Sequence, residues 1–457
     1  MFTTSDIAVT DFRGRVLTAD DPDYDAARRV WNGLIDRRPL LIVRAADLED
    51  VSATVHLAVQ HRLPLAVRGG GHNVAGSSVC DGGIVLDLAG LRSARVDSKR
   101  AIVRAGGGLT WAQLDRATQR YGLATNGGMV SSTGIGGLTL GGGVGWLMRQ
   151  HGLTIDNVLA AEMITATGER VTANAVENPD LFWALRGGGG NLGVVTEFVY
   201  RLHEVETILG GFVMYELAWA PTILRRYDEF CRAAPNNVTT LVVLMTAPTL
   251  PFVPDQLQGT PVVLIAVCAT GADAEEVVRP LRAFGPAVAD FIGPMPYTGL
   301  QSMQDPTAPP GARNYWKSGY ADALSDPLIE RLITHAAGVT SPMTQIHIHQ
   351  MGGAVAQQDP GATAFAHRDL PYLINVIGMW QDPAEDDLQL AWVAGLWRDI
   401  EDVVAAAAYP NFFSHDDSSR SRAAFSPAIW DRLESIKAHW DPNHVFDPIT
   451  RIPSRTN

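Results

Sequence analysis

Apolar and polar positions over the first 200 residues switch between two periods. Pro39-Leu-Leu-Ile-Val-Arg44 is an apolar run of buried-strand length. From Asp47 the period lengthens. Val51, Val55, Leu57 and Ala58 predict an amphipathic helix to about Gln60, with Asp47 as its N-cap. Leu63–Arg68 and Gly83–Leu88 predict two more short strands, the first running straight into Gly69-Gly70-Gly71. Strand, helix and strand joined by short turns predict a small α/β lobe. Further on, residues 156–166 read as a strand closed by Thr167-Gly168. Asn178-Pro179-Asp180 reads as a helix start, with Asn178 capping and Pro179 in the first helical position. That helix is expected to stop at Gly187, before a strand from Gly193 to Phe198.

Beyond about residue 205 the glycine clusters thin out. Gly211–Tyr215, Thr240–Met245, Pro261–Ala266, Gln345–Gln350 and Leu373–Trp380 predict strands, with helical stretches near 221–233 and 272–284. This is the pattern of a second, α+β domain. The tail from about Tyr409 carries a predicted helix, Pro427–His439, expected to pack back on the first lobe.

At 457 residues the chain exceeds one ordinary core, and two domains are expected. The formal net charge of -13, with no basic tract, argues against nucleic acid as a partner. No apolar run has the roughly 20 residues needed to span a bilayer, so no membrane partner is expected. The N-terminus lacks a leader pattern, and Cys80, Cys231 and Cys268 are few and far apart. Both features lead to the expectation of a cytoplasmic protein without a disulfide framework.

The glycine clusters change the picture most. Arg68-Gly69-Gly70-Gly71-His72-Asn73, continued by Gly76-Ser77-Ser78, follows a strand. Three residues without Cβ atoms permit close approach of a flat or phosphorylated ligand, and Arg, Asn and Ser add donors. A tight surface turn with an incidental histidine is the plain alternative. The run Asn126–Gly145 places glycine at 127, 128, 134, 136, 137, 141, 142, 143 and 145, beside Ser131, Ser132 and Thr133. Ile135, Leu138 and Leu140 make it a packed loop rather than a flexible linker. Arg186-Gly-Gly-Gly-Gly-Asn191 is the third cluster. Three such loops in one lobe suit an extended ligand such as a dinucleotide. The spacing is not that of a Rossmann GxGxxG turn, and no Walker lysine is present.

These segments together resemble the berberine-bridge-enzyme-like FAD-linked oxidases of the vanillyl-alcohol-oxidase/PCMH superfamily. The resemblance rests on Arg68-Gly-Gly-Gly-His72, on Gly134–Gly145 with His151–Asn157, and on Asp180–Glu197. It continues through Gly352–Val355, Thr363–Arg368, Tyr409-Pro-Asn411 and Trp440–Asn443. It implies an α+β fold: a PCMH-type FAD-binding domain over 1–205, a substrate domain built on an antiparallel sheet covered by helices over 206–408, and a returning segment over 409–457. The cofactor implied is FAD, bound covalently through His72. Its contacts would come from Arg68, Gly69, Gly70, Gly71, His72, Asn73, Gly76, Ser77, Ser78, Gly128, Ser132, Thr133, Gly134, Gly137, Gly142, Gly143, Asn157, Gly193, Val194, Val195 and Asn411. Val130 occupies the place of the second, cysteinyl link of many relatives, which implies a single attachment. Thr133 stands where a position influencing oxygen access is expected.

The implied activity is oxidation of a small alcohol, amine or secondary-metabolite substrate by hydride transfer to FAD, with molecular oxygen reduced to hydrogen peroxide. The alternatives are a dehydrogenase with another acceptor and a flavin-binding protein without turnover. Tyr409 is the first candidate for an active-site acid, base or hydrogen-bond donor. Period-two alternation puts Gln345, His347 and His349 on one face of a strand, and both histidines are further catalytic candidates. Their HxH spacing has no third ligand in an obvious motif, so no metal is expected. Trp316 and Tyr320 are candidate pocket walls, and His415 and Asp416 are weaker candidates.

Overall fold

The computed structural model describes residues 12–205, 207–249, 253–447 and 452–453; most of the leading segment read for a leader pattern lies outside them. The short apolar runs of the first lobe form a four-stranded sheet in the order Arg15–Leu17, Leu41–Arg44, Ile84–Asp87, Leu65–Arg68. Its last three strands are parallel. The predicted helix is Leu48–His61, and the Asp47 side chain accepts from Asp50 N, as a cap should. Arg62 ends the helix in the left-handed conformation, at φ 51°.

A second sheet of this half is antiparallel, ordered Ala94–Asp97, Ile102–Gly106, Val194–Arg201, Val158–Ile164, Arg170–Asn174. Pro179–Leu185 is helical, but Asn178 does not cap it. Asn178 sits at φ 48°, and its amide instead donates to Thr172 O. A proline at the first turn needs no amide hydrogen, so the helix starts without that cap.

The larger sheet has eight antiparallel strands. Its main path runs Ala289–Asp290, Thr207–Glu216, Pro261–Ala269, Val238–Thr246, Gln345–Gln350, Tyr372–Trp380, Arg313–Ala321, and Gly293–Pro296 adds to Thr207–Glu216. Helices Ala220–Ala233, Asp326–Ala337 and Asp386–Ile400 bury Leu224, Leu332 and Leu396 against Val242, Ile265, Ile346 and Ile374 on one face. The opposite face, through Leu241, Val243 and Leu373, packs on Trp146, Met148, Phe365 and Tyr409. Alternation along each strand thus divides one sheet between a helical layer and a layer that adjoins the glycine loops.

Two features depart from the sequence pattern. The strand Arg313–Ala321 escapes an apolar reading because Arg313 and Lys317 interrupt it, yet both charges are paired, with Asp386 and with Asp416 and Asp417. The helix expected over 272–284 is Ala274–Val278 followed by a 3-10 turn, Arg279–Ala283, where Pro280 has no amide hydrogen to give. In the tail, helix Pro427–Trp440 packs Leu433 and Ile436 with Leu181 and Trp183. Lys437 Nζ, fully buried, donates to Asp441 Oδ2 at 2.5 Å, Asn191 O at 2.7 Å and Phe446 O at 2.7 Å. Three donors meet three acceptors, and the third glycine cluster is tied to the tail.

Candidate active site

One long cavity runs between the glycine loops and the polar face of the eight-stranded sheet. Gly69, Gly70, Gly71, His72, Asn73, Ser77 and Ser78 line it from the first loop. Gly128, Thr133, Gly134 and Gly137 line it from the second, and Gly193 and Val195 from beyond the third cluster. The first two loops meet backbone to backbone: a Cβ on Gly70 would lie 2.3 Å from Gly134 N, and one on Gly134 would lie 2.2 Å from Gly70 N. Glycine is required there by the fold. Gly137 and Gly190 differ, for both line the cavity and a Cβ on either would meet no protein atom within 4 Å. Protein packing does not account for these two glycines, and their place in the cavity wall suits the backbone approach of a bound group.

His72 stacks on Trp31, with ring centroids 4.6 Å apart and planes at 19°. Burial pushes its pKa down to about 4, which favours the neutral imidazole. Nε2 lies 2.8 Å from Ser132 Oγ, which leaves Nδ1 as the other reactive nitrogen. Val130 lines the cavity and none of the three cysteines does.

Tyr409 and Asn411 come from the tail and also line the cavity. The Tyr409 hydroxyl oxygen accepts from Gly143 N at 3.0 Å, Val144 N at 3.3 Å and Asn411 Nδ2 at 3.0 Å. Burial raises the phenol pKa above its ordinary value, and the three donors, which favour the anion, offset only part of that rise. Asn411 Nδ2 also donates to Leu138 O, which fixes the side chain against the second loop. Phe412 stands between the tail and the sheet, 4.8 Å from the Tyr409 ring and 5.7 Å from the His349 ring.

On the sheet side, Gln345, His347 and His349 all face the cavity, beside Asn375, Ile377 and Trp316. Far from being solvated, His347 and His349 are buried, and burial lowers both pKa values, that of His347 to about 4. Tyr320 is buried in the layer below and does not line the cavity. Asp416 is engaged by Lys317 and by the Tyr315 hydroxyl.

Several residues expected at the cofactor lie off the cavity. Asn157 donates to His151 O and Leu153 O and receives His203 Nε2, so its amide is spent on local structure. Val194 is buried with Leu41, Val43 and Ile84 in the core of the first lobe. Arg68 turns away, its guanidinium donating to Ala27 O and Arg29 O, where it anchors the segment that presents Trp31. Gly76 makes room for Ile35, whose Cγ2 would be 2.7 Å from a Cβ there. Ser132, Gly142 and Gly143 act through neighbours, Ser132 on His72 and the two glycines by turning the chain so that Gly143 N reaches Tyr409. Trp31, Asn375 and Phe412 line the cavity without a sequence signal, because each reaches it through tertiary packing.

The FAD binding domain family matches residues 39–174, which include the first two glycine loops and His72. The fold is that of the PCMH-type FAD-binding oxidases. (R)-6-hydroxynicotine oxidase of Paenarthrobacter nicotinovorans is 29% identical over 462 residues, 95% of each chain. FAD-linked oxidoreductase pgmH of Aspergillus terreus is 30% identical over 480 residues, spanning 96% of this chain and 93% of that one. The crystal structure of 6-hydroxy-D-nicotine oxidase from Arthrobacter nicotinovorans superimposes with a TM-score of 0.87 at 28% identity, covering 98% and 99% of the two chains. Physcomitrella patens BBE-like 1, at 23% identity, shares the fold with a TM-score of 0.88 over 97% and 98%. The chain belongs to the FAD-linked oxidoreductases, and its cofactor is FAD.

Proposed function

We propose that this FAD-dependent oxidoreductase is an oxidase with its flavin attached to His72. The observation that carries the reading is the single cavity in which His72 and the glycine loops face Tyr409 and the histidine strand. Bound FAD supplies a two-electron acceptor for hydride leaving a substrate carbon, and dioxygen with two protons takes those electrons to give hydrogen peroxide. Gly69, Gly70, Gly134, Gly137, Gly190 and Gly193 would hold the cofactor by backbone approach. His72, neutral and flanked by Trp31 and Ser132, offers Nδ1 for the bond. Tyr409 is the acid or hydrogen-bond donor for the substrate: burial keeps its phenol protonated, and three N–H groups fix its oxygen in the cavity wall. Ring walls from Trp316 and Phe412 exclude water from that end.

Acid precipitation tests the attachment. Yellow colour should stay in the pellet with one FAD added to the intact mass, and His72→Ala should release it into the supernatant. Colour retained by that variant would place the bond elsewhere. The acceptor is read by stopped-flow mixing of reduced protein with air-saturated buffer, where rapid reoxidation with stoichiometric peroxide is expected. A sluggish oxygen reaction beside fast reduction of a quinone dye would make the protein a dehydrogenase.

A further inference from the structure

The cavity face of the eight-stranded sheet carries buried polar atoms that none of the described residues satisfies. Antiparallel register sets Ser318, Asn375 and His347 side by side across three strands, with His349 two residues along. His349 is 4% exposed, and neither of its ring nitrogens has a hydrogen-bond partner among the described residues. Asn375, 1% exposed, has an unpartnered Oδ1. His347 is set differently. Its Nε2 lies 2.8 Å from Gln345 Oε1, and since an amide oxygen only accepts, Nε2 carries the hydrogen and Nδ1 is left as an acceptor.

A neutral imidazole holds one donor and one acceptor, and leaving both unmet in a buried wall is unfavourable. A bound molecule that satisfies them must therefore both give and accept hydrogen bonds. Charge narrows the class further. Among the described residues lining the cavity, Asp447 is the one carboxylate and no lysine or arginine appears. Asp447 follows Phe446, which packs with Leu65, Ile84 and Val194 in the core of the first lobe and not with the sheet that carries the histidines. An ammonium group at the sheet would lose its hydration with no counter-charge and could not accept the N–H that His349 presents. The aromatic walls alone would also suit a cation, so the imidazoles are the deciding feature.

We propose that the sheet end of the cavity selects a neutral, hydroxyl-bearing substrate, an alcohol or phenol rather than a protonated amine. In this assignment His349 is the specificity residue, hydrogen-bonding a substrate hydroxyl, while Asn375 Oδ1 and His347 Nδ1 accept from other polar hydrogens. It rests on the oxidoreductase reading above, in which the same cavity holds the flavin and its substrate.

The test is an anaerobic titration of the FAD-loaded protein near neutral pH with benzyl alcohol, phenol and benzylamine, read by the flavin difference spectrum and tryptophan fluorescence. The better-bound hydroxyl compound should bind about tenfold more tightly than benzylamine, the scale of one buried hydrogen bond. His349→Leu should weaken hydroxyl binding by about tenfold, and His349→Gln, which keeps one donor and one acceptor, should recover it to within about threefold. Each variant's flavin spectrum and melting temperature establish that it is folded and loaded. Amine binding equal to or tighter than that of both hydroxyl compounds, or unchanged affinity in His349→Leu, overturns the proposal. Protein that purifies and reconstitutes without flavin defeats the oxidoreductase reading instead, which separates the two failures.

Discussion

Three N–H donors converge on the Tyr409 oxygen, and two of them are backbone groups that no side-chain substitution removes. Replacing Tyr409 by Phe deletes the hydroxyl while keeping the ring against Phe412. The expected outcome is a loss of about 10²- to 10⁴-fold in kcat, with KM changed far less. Steady-state rates with any oxidised substrate check this, and an unaltered kcat would transfer the proton to another group. Asn411→Ala should produce a smaller loss, since it removes one donor of the three. Buried lysines are informative at the same scale. Lys317 and Lys437 are two of only three lysines in the chain, and both are buried in carboxylate pairs. The scarcity of lysine reads as a bias of composition, but its placement reflects a compact ammonium that fits where a guanidinium fork would not.

The glycine-rich elements are of two kinds, although the sequence writes them alike. Gly70 and Gly134 exist because two backbones cross, with no room for a Cβ on either. Gly137 and Gly190 exist beside open cavity. Gly70→Ala should therefore destabilise the protein itself and lower its melting temperature. Gly137→Val should fold with little change in melting temperature and lose flavin occupancy. Thermal melts together with the ratio of flavin to protein absorbance separate the two, and full occupancy in Gly137→Val would remove that segment from the cofactor site.

Over the whole molecule, acid sensitivity follows from histidines held neutral in different places. Burial lowers His151, His203 and His347 to about 4 from the ordinary 6.5. His151 and His203 are stacked at 3.7 Å, where two positive rings would repel, and Arg201 adds to the effect on His203. Between pH 6.5 and about 4 the unfolded chain binds protons that the folded chain refuses, so stability is full above this window and falls as pH falls through it. Asp115, pushed up to about 7 by complete burial, acts the opposite way between 3.8 and 7, but it is one group against three. Melting temperature measured on the loaded protein should drop across this window. His203→Phe should flatten part of the drop, and a flat profile in the native protein would show these rings to be accessible.

Length, period and glycine spacing determine much of this protein by themselves. Residue types restrict local backbone, so the strand entering Gly69, the helix capped by Asp47 and the alternation that gathers Gln345, His347 and His349 are all legible along the chain. The family resemblance carried by the three glycine clusters reaches FAD for the same reason, since each cluster is contiguous. What the sequence leaves undecided is set by pairs distant in the chain. Trp31 reaches His72 by way of Arg68, Phe412 bridges Tyr409 and His349, and Asn375 enters the polar row through strand register. Asn157 and Val194, contiguous with true cavity residues, are turned inward to hold local structure and core. Burial decides the chemistry last. A histidine reads the same in sequence whether solvated or enclosed, and only the assembled fold removes the water that would have kept its nitrogens satisfied.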